Sequence, residues 1–285
     1  MMKKKYRWFI GLFSFIPVLT FSCADYSKQN ELNRLISKYD EVSTVLDTNN
    51  LRNTNEILDR LLNDAFKSDQ TKIVEYKKQQ IDNKDKILKE YFELTKDFSK
   101  SSSKKEFALK QSEFFSNNWY FFLTNLDKFE FNFVEYIYTD LSKGYKTSDE
   151  YKKIIDLKTA KGGHKKFSFF DSYLDEIREG IEAKELGDAT VYYVKKDRLV
   201  FRIIVDNLRS ENNEPKVILR PINWYFNYSV AITISLGLVS EVIHQLFIHG
   251  YDNGRIDFET EMVKNQKYGS PSFVFPTVKE KMIEG

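Results

Sequence analysis

The feature that most constrains the fold is a run of large apolar side chains between residues 115 and 137. Its members recur every three or four positions: Phe115, Trp119, Phe122, Leu126, Phe129, Phe133 and Ile137. This spacing places side chains on one face of an α-helix, as at the a and d positions of a heptad repeat. Because aromatic rings are too broad for a slim two-stranded coiled coil, we predict a long helix whose aromatic stripe forms the core of a helix bundle.

More aromatic residues accompany this stripe than one helix face can hold. Four of them, Phe114, Tyr120, Phe121 and Phe131, fall between the stripe positions. They must pack against either the C-terminal part of the chain or another protein. We therefore predict that these four residues form a candidate surface for an unknown protein partner, and the protein could also form an oligomer.

Helical patterning also covers the residues before the stripe. Apolar residues follow helical spacing from Asn30 onward, and a helix is predicted at about 69–98 whose middle is almost entirely polar. A helix that is polar nearly all round is either solvated or supported by charge pairs, and a rod for docking a partner is the functional alternative. Together these segments predict a long antiparallel helical hairpin or bundle over residues 30–160.

The second part of the chain, residues 161–285, has a different periodicity. A basic, glycine-rich connector at 161–166 marks the predicted domain boundary, and an amphipathic helix is predicted from Phe169 to near Gly187. β-Branched and aromatic residues then predict a hairpin within 190–205 and further short strands. The remaining predictions are a helix at 237–249 and edge strands at 258–263 and 272–275. The predicted fold class is therefore α+β, with the helical hairpin followed by an antiparallel-sheet α+β domain.

The N-terminus has the layout of a secretory signal peptide. Four cations within the first seven residues precede an apolar stretch of about 14 residues that contains Pro17. A transmembrane helix needs about 20 apolar residues, so this stretch is too short to span a bilayer. It ends in the sequence Leu19-Thr20-Phe21-Ser22-Cys23. We predict a lipoprotein signal peptide at 1–22 and a short tether at 23–29. We also predict that Cys23 is acylated, which palmitate labelling can test, and that the acyl chains anchor the protein in the lipid bilayer.

The basic start, the relaxed motif before Cys23 and the Lys- and Asn-rich composition resemble the lipoproteins of Borrelia spirochaetes. In those proteins the residues before the cysteine are permissive, as Thr20 and Phe21 are here. The helical first half and mixed second half are similar to the paralogous family 12 lipoproteins of that group. The resemblance implies an exported and membrane-anchored protein, with the periplasmic face favoured over the cell surface.

Few residues in the sequence support catalysis. The formal net charge of +2 includes the four cations of the signal peptide, so the mature chain carries −2 and lacks the basic excess of a nucleic-acid-binding protein. The histidines are His164, His244 and His249, and Glu241 with His244 forms one E-x-x-H pair. A di-iron bundle needs two such motifs and two further glutamates. We therefore predict no enzyme activity, no catalytic residue, no metal and no cofactor.

The sequence thus predicts a membrane-anchored, non-catalytic lipoprotein of the bacterial cell envelope that acts through protein–protein contacts. The alternative is a surface-exposed adhesin or immune-evasion lipoprotein that binds a host ligand. Cleavage by a protease added to intact cells distinguishes the two hypotheses, because a periplasmic protein survives until the envelope is broken.

Overall fold

The computed structural model describes residues 50–97, 104–137, 147–160, 166–182, 187–207, 215–219, 223–226, 234–266, 268–279 and 282. The predicted signal peptide (1–22), Cys23 and the tether (23–29) lie outside these residues. The predicted domain boundary between residues 160 and 161 falls next to 161–165, which also lie outside them.

The centre of the fold is an antiparallel sheet of seven strands. The strands are β1 (Phe129–Tyr136), β2 (Glu176–Glu179), β3 (Ala189–Lys196), β4 (Leu199–Asp206), β5 (Lys216–Leu219), β6 (Asn223–Tyr225) and β7 (Ser272–Val278). They are ordered β1-β7-β6-β4-β3-β2, and β5 pairs with the second half of β4, beyond the short pairing of β4 with β6. The first strand is therefore paired with the last, and both lie in one sheet with the hairpin of β3 and β4.

Helices cover both faces of this sheet. They are α1 (Asn50–Ala65), α2 (Gln70–Asp82), α3 (Lys84–Thr95), α4 (Lys104–Thr124), α5 (Asp149–Ala160), α6 (Leu236–Val242) and α7 (Asp252–Ile256). A 3₁₀ turn at Leu126–Lys128 joins α4 to β1, and π-helical segments at Ile243–Ile248 and Asp257–Asn265 extend α6 and α7. Among the described residues, no helix has the length and hydrophobicity needed to cross a membrane.

The sheet divides the interior into two cores because successive strand residues point to opposite faces. On β4, Phe201 and Ile203 pack with the core formed by α1–α4, whereas Val200 and Ile204 pack with the core formed by α5–α7 and the π-helical segments. The molecule therefore has three layers, with helices on each side of a central sheet. We call the side of the sheet that α1–α4 cover the aromatic face, and the side that α5–α7 cover the polar face.

The predicted long helical hairpin is wrong. The helices of the first half are short: the predicted helix at 69–98 is two helices separated at Asn83, and the aromatic helix α4 ends at Thr124. The stripe then continues as strand β1, in which Phe129 pairs with Val278. These helices pack onto the sheet rather than forming a bundle that precedes it, because the sheet supplies the second half of their core.

The error at β1 has a simple physical origin. The sequence of β1 alternates aromatic and polar residues, and Phe129 and Phe131 are buried in the core that α1–α4 share with the sheet. Alternation of this kind is the pattern of a half-buried strand. However, Phe129 and Phe133 are also four residues apart, so they satisfied the helical spacing as well.

Three smaller predictions in the second half also differ from the structure. The helix predicted from Phe169 to near Gly187 is wrong, because the chain is extended over 169–175 and then forms β2. Residues 183–186 of that prediction lie outside the described residues. The predicted strand at 258–263 lies in the π-helical segment. The predicted strand at 272–275 is β7, which lies inside the sheet between β1 and β6 rather than at its edge. The predicted hairpin within 190–205 is confirmed as β3 and β4, and the helix at 237–249 as α6 with its π-helical extension.

Candidate functional site

The aromatic face is filled by rings in mutual contact. Phe122 lies at its centre, with ring centroids 4.6 Å from Phe115, 4.9 Å from Phe129 and 5.8 Å from Phe201 on the sheet. These are the separations at which edge-to-face and tilted aromatic pairs are favourable. The side chains of α4 and β1 therefore form one dry aromatic core rather than a ligand-binding groove.

Tyr91 is the polar member of this core, and its hydroxyl is satisfied. The Tyr91 hydroxyl donates to the carbonyl oxygen of Pro276 at 2.8 Å and accepts from Gln111 Nε2 at 2.8 Å. Burial raises the pKa of Tyr91 well above its usual value, so the ring stays neutral. This bond ties α3 to β7 across 185 residues of sequence.

The four residues predicted as a partner surface lie mostly inside the protein. Phe121 and Phe131 are buried, Tyr120 is nearly so, and Phe114 is half-buried with its ring 4.8 Å from Tyr91. Phe121 packs on Phe129 of the sheet, whereas Phe114 and Tyr120 pack on rings of α3 and α2. In this structure they contribute to the aromatic core and do not form an exposed patch.

A surface aromatic group lies instead at residues 167–173, which we call the aromatic ledge. Phe167 forms an antiparallel bridge with Phe131, with backbone bonds of 2.8 and 3.1 Å. Its ring stacks on Phe131 at 5.1 Å and on Tyr225 at 3.9 Å, with interplanar angles of 13° and 15°. Phe169 meets the rings of Phe131 and Phe167 edge-on. The base of the ledge is therefore continuous with the core.

The outer residue of the ledge is fully exposed. The relative exposure of Phe170 is 104%, and Tyr173 beside it is also exposed at 36%. Burying a phenylalanine side chain stabilises a protein by about 1.5–3 kcal/mol, so an exposed one gives up that contribution in the free protein. A single exposed apolar side chain is unremarkable, but this one extends from a segment that is held in place.

Ion pairs and hydrogen bonds fix the ledge to the body. Lys196 Nζ lies 2.5 Å from Asp171 Oδ1, and this bond is the main reason that the pKa of Asp171 is lowered. Ser172 Oγ donates to Asp127 Oδ1 at 2.8 Å. Leu174 N donates to Thr54 Oγ1 at 2.7 Å on α1. Phe170 is thus presented in a defined position rather than on a free loop.

The polar face contains a second group of candidate residues, which are buried and charged. Glu182 accepts hydrogen bonds from the Tyr193 hydroxyl at 2.6 Å, Arg202 Nε at 3.0 Å and Ser240 Oγ at 3.3 Å. Burial raises the pKa of Tyr193 well above its usual value, and Glu182 raises it further. Tyr193 and Arg202 are direct cross-strand neighbours on β3 and β4, which explains how they meet at Glu182.

Two further carboxylates are buried nearby on α6 and at the end of α7. Burial raises the pKa of Glu241, and a hydrogen bond from Gln245 partly offsets this effect. Burial also raises the pKa of Asp257 to about 7, with repulsion from Glu241 and Glu261 adding to it. The polar face therefore contains carboxyl groups whose charged forms are disfavoured by burial.

The histidines at 244 and 249 also meet on the polar face, and His244 lies near Glu241. His244 Nε2 lies 3.0 Å from His249 Nε2, and His249 stacks on the ring of Tyr251 at 5.0 Å. Within the part of the chain that the structure describes, no three His, Cys, Asp or Glu side chains converge as a metal-binding group. The single E-x-x-H pair of the sequence thus lies in a polar cluster without the ligand set of a di-iron centre.

An open groove runs between α1 and α2 on the outside of the aromatic face. Its volume is about 510 Å³, and it is lined by both charged and apolar residues, including Asp59, Lys77, Val74 and Ile81. Val74 and Ile81 are exposed. Because this groove is shallow and carries no cluster of chemically active groups, we do not treat it as an active site.

Comparison with known families identifies the chain. The sequence profile described as "aromatic cluster surface protein" matches residues 33–269, which is most of its length. The chain belongs to the aromatic cluster surface protein family. The matched range contains the aromatic core, the aromatic ledge and the buried polar group.

The family description indicates an exported or cell-surface protein. No curated protein and no solved structure matches the chain. The resemblance to Borrelia lipoproteins and to their paralogous family 12 is not supported by these comparisons.

Sequence reasoning missed both the ledge and the buried polar group. The ledge was predicted as part of an amphipathic helix, although the run Phe167-Ser168-Phe169-Phe170 has no helical spacing of its own. Glu182, Tyr193 and Arg202 are far apart in sequence and meet only through strand pairing. The available signal was that Tyr193 and Arg202 occupy facing positions of the predicted hairpin, which indicates that their side chains lie close together.

Proposed function

We propose that this aromatic cluster surface protein is a lipid-anchored, non-catalytic protein displayed on the cell surface, where it binds another protein through the aromatic ledge. The observation that carries the proposal is the full exposure of Phe170 on a segment fixed by ion pairs and ring stacking. The family description supports the surface location. The sequence around Cys23 supports the lipid anchor.

The composition of the ledge suits a protein partner. Protein interfaces combine aromatic anchors at the centre with a polar rim. Here Phe170 and Tyr173 are the apolar anchors. Asp171 lies between them in the sequence and is partly exposed, and the Lys166–Glu130 pair lies next to the Phe167–Phe131 bridge at the base of the ledge. The balanced signs of these charges do not favour a nucleic acid, which requires a basic surface.

The location and the anchor are tested together on intact cells. We expect external protease to remove the protein while a cytoplasmic marker remains intact, and Cys23→Ala to abolish palmitate labelling and release the protein from membranes. Survival of the protein until the envelope is broken would assign it to the periplasm. Unchanged membrane partitioning of Cys23→Ala would exclude the lipid anchor.

The partner surface is tested with a photo-crosslinking amino acid placed at position 170, with position 74 as the matched control. Val74 is also exposed and apolar but lies on α2, where it lines the groove between α1 and α2. We expect one discrete protein adduct from position 170 that is absent from position 74 and reduced by Tyr173→Ser. The same adduct from both positions, or lipid adducts alone from position 170, would contradict a protein-binding ledge. A partner from another organism would support the host-ligand alternative.

A further inference from the structure

The two histidines of the polar face are brought together by a π-helical turn. Ile243–Ile248 follows α6 as a π-helix, and His249 N donates to the His244 carbonyl oxygen at 3.1 Å, which closes a five-residue turn. In an α-helix, residues five apart are rotated by about 140° from each other and face different directions. The wider turn places both imidazoles on the same face, and π-helical turns of this kind are frequent at functional sites.

The distance between the two rings fits a shared cation. The two Nε2 atoms are 3.0 Å apart and the rings are perpendicular, with an interplanar angle of 89°. The ring centroids are only 4.6 Å apart, so the two rings are inclined rather than in line. If a metal lay about 2.0–2.1 Å from each nitrogen, the N–metal–N angle would be roughly 90–100°. This is the angle between neighbouring ligands of a square-planar or octahedral ion, and it is smaller than the tetrahedral angle that zinc prefers.

The surroundings hold the pair in place and leave one side accessible. His244 is 2% exposed, whereas His249 is half-buried and is backed by the ring of Tyr251. Gly254 lies directly against the π-helical turn, since a Cβ there would be 2.7 Å from Leu246 N. The close packing of α7 on this turn fixes the backbone that carries both imidazoles.

The nearby charge also favours a cation. Glu241 lies one turn before His244, and the two interact electrostatically. Glu241 is buried, and among the described residues it forms no ion pair with a basic side chain. A divalent cation bound at His244 would lie near this carboxylate and interact favourably with it.

We propose that His244 and His249 form a two-histidine site for one late first-row divalent cation, Cu²⁺ or Ni²⁺. The two Nε2 atoms would occupy neighbouring coordination positions. Water or other small donors would complete the coordination, because no third metal-binding side chain converges there among the described residues. The site is independent of the aromatic ledge, which lies on another part of the sheet.

The test uses the purified full-length protein, stripped with a chelator and titrated with Cu²⁺ or Ni²⁺ by calorimetry. We expect one site per chain, with two coordinated nitrogens seen by electron paramagnetic resonance of the Cu²⁺ form. Ligation requires the unprotonated nitrogen on each ring, so binding releases any proton held there. His249→Gln is expected to weaken binding at least tenfold.

His164→Gln is the matched control, because it removes the remaining histidine of the sequence, and it is expected to leave binding unchanged. Circular dichroism checks that each variant is folded. The half-buried His249 makes this test independent of whether the buried His244 tolerates substitution. Absence of stoichiometric binding, equal affinity in His249→Gln, or a Cu²⁺ spectrum without two nitrogens would overturn the proposal. Loss of binding in His164→Gln would do so as well.

Discussion

The two faces of the central sheet are built from different chemistry. The aromatic face is packed with rings from α4 and β1, and its buried hydroxyl at Tyr91 is fully satisfied by two bonds. The polar face also has a large apolar core, but Glu182, Glu241, His244 and Asp257 are buried within it. One face is therefore packed with aromatic rings, whereas the other also buries ionisable groups, of which Glu182 is fixed by three hydrogen bonds.

This difference indicates how each face responds to substitution. Rings of similar size can replace each other with modest cost, so the aromatic face tolerates change if its volume is kept. A buried charge does not tolerate the loss of its partner. Substitutions on the two faces should therefore differ in how their effects can be rescued.

The largest expected effect is that of Phe122→Ala on the aromatic face. Phe122 is fully buried and contacts Phe115, Phe129 and Phe201, so its removal leaves a cavity that the surrounding rings cannot fill. We expect the free energy of unfolding to fall by about 3–5 kcal/mol. Chemical denaturation measures this change, and Phe122→Leu should recover much of it. A loss below about 1 kcal/mol would show that this face is loosely packed.

The next effect concerns Glu182 on the polar face. Glu182→Ala leaves Arg202 and the Tyr193 hydroxyl without their shared acceptor, and we expect a loss of about 2–4 kcal/mol. The double variant Glu182→Leu with Arg202→Met removes both charges and should be more stable than Glu182→Ala alone. Equal losses in the single and double variants would mean that packing, rather than charge, determines this site.

The smallest effect is that of Asp257→Asn, and its sign depends on pH. The pKa of Asp257 is about 7 in the folded protein, above its usual value of 3.8, because burial disfavours the charged form. The folded state therefore binds the proton more tightly, and the stability contributed by this group is lost as the pH rises from about 4 to 7.

We expect Asp257→Asn to be more stable than the wild type at pH 8, by about 1–2 kcal/mol, and to lose this advantage near pH 4. Thermal unfolding of the chelator-treated protein at several pH values measures the difference. Asp252→Asn, at an exposed position on α7, is the matched control and should show no such trend. A stabilisation of the same size at pH 4 and pH 8 would contradict the assignment.

The parts of the fold that sequence could predict are those with a local signal. The β3–β4 hairpin is predicted because β-formers such as Val194 and Phe201 lie on opposite sides of a short polar turn, and both are buried. Strand β1 was missed because Phe129 and Phe133 satisfy the helical and the strand spacing at the same time. Only the pairing of β1 with β7, which lies far away in the sequence, shows that this segment is a strand rather than a helix.

The candidate sites depend on contacts that no local pattern encodes. The His244–His249 pair requires a π-helical turn, and the spacing of five residues belongs to neither the helical nor the strand pattern. Phe170 was predicted on an apolar helix face, but the bridge of Phe167 with Phe131 holds this segment extended. Cys23 is the opposite case, since its predicted role rests wholly on neighbouring residues that lie outside the described structure.

The pairing of β1 with β7 also constrains the order in which the protein can fold. Phe129 meets Val278, and Tyr91 meets Pro276, so the aromatic layer is closed by a strand made more than 130 residues after β1 ends. Contacts between such distant segments form slowly. During export the nascent aromatic layer would remain open until the last strand arrives. A chain with this topology therefore cannot close its aromatic layer until its C-terminal strand is available for pairing.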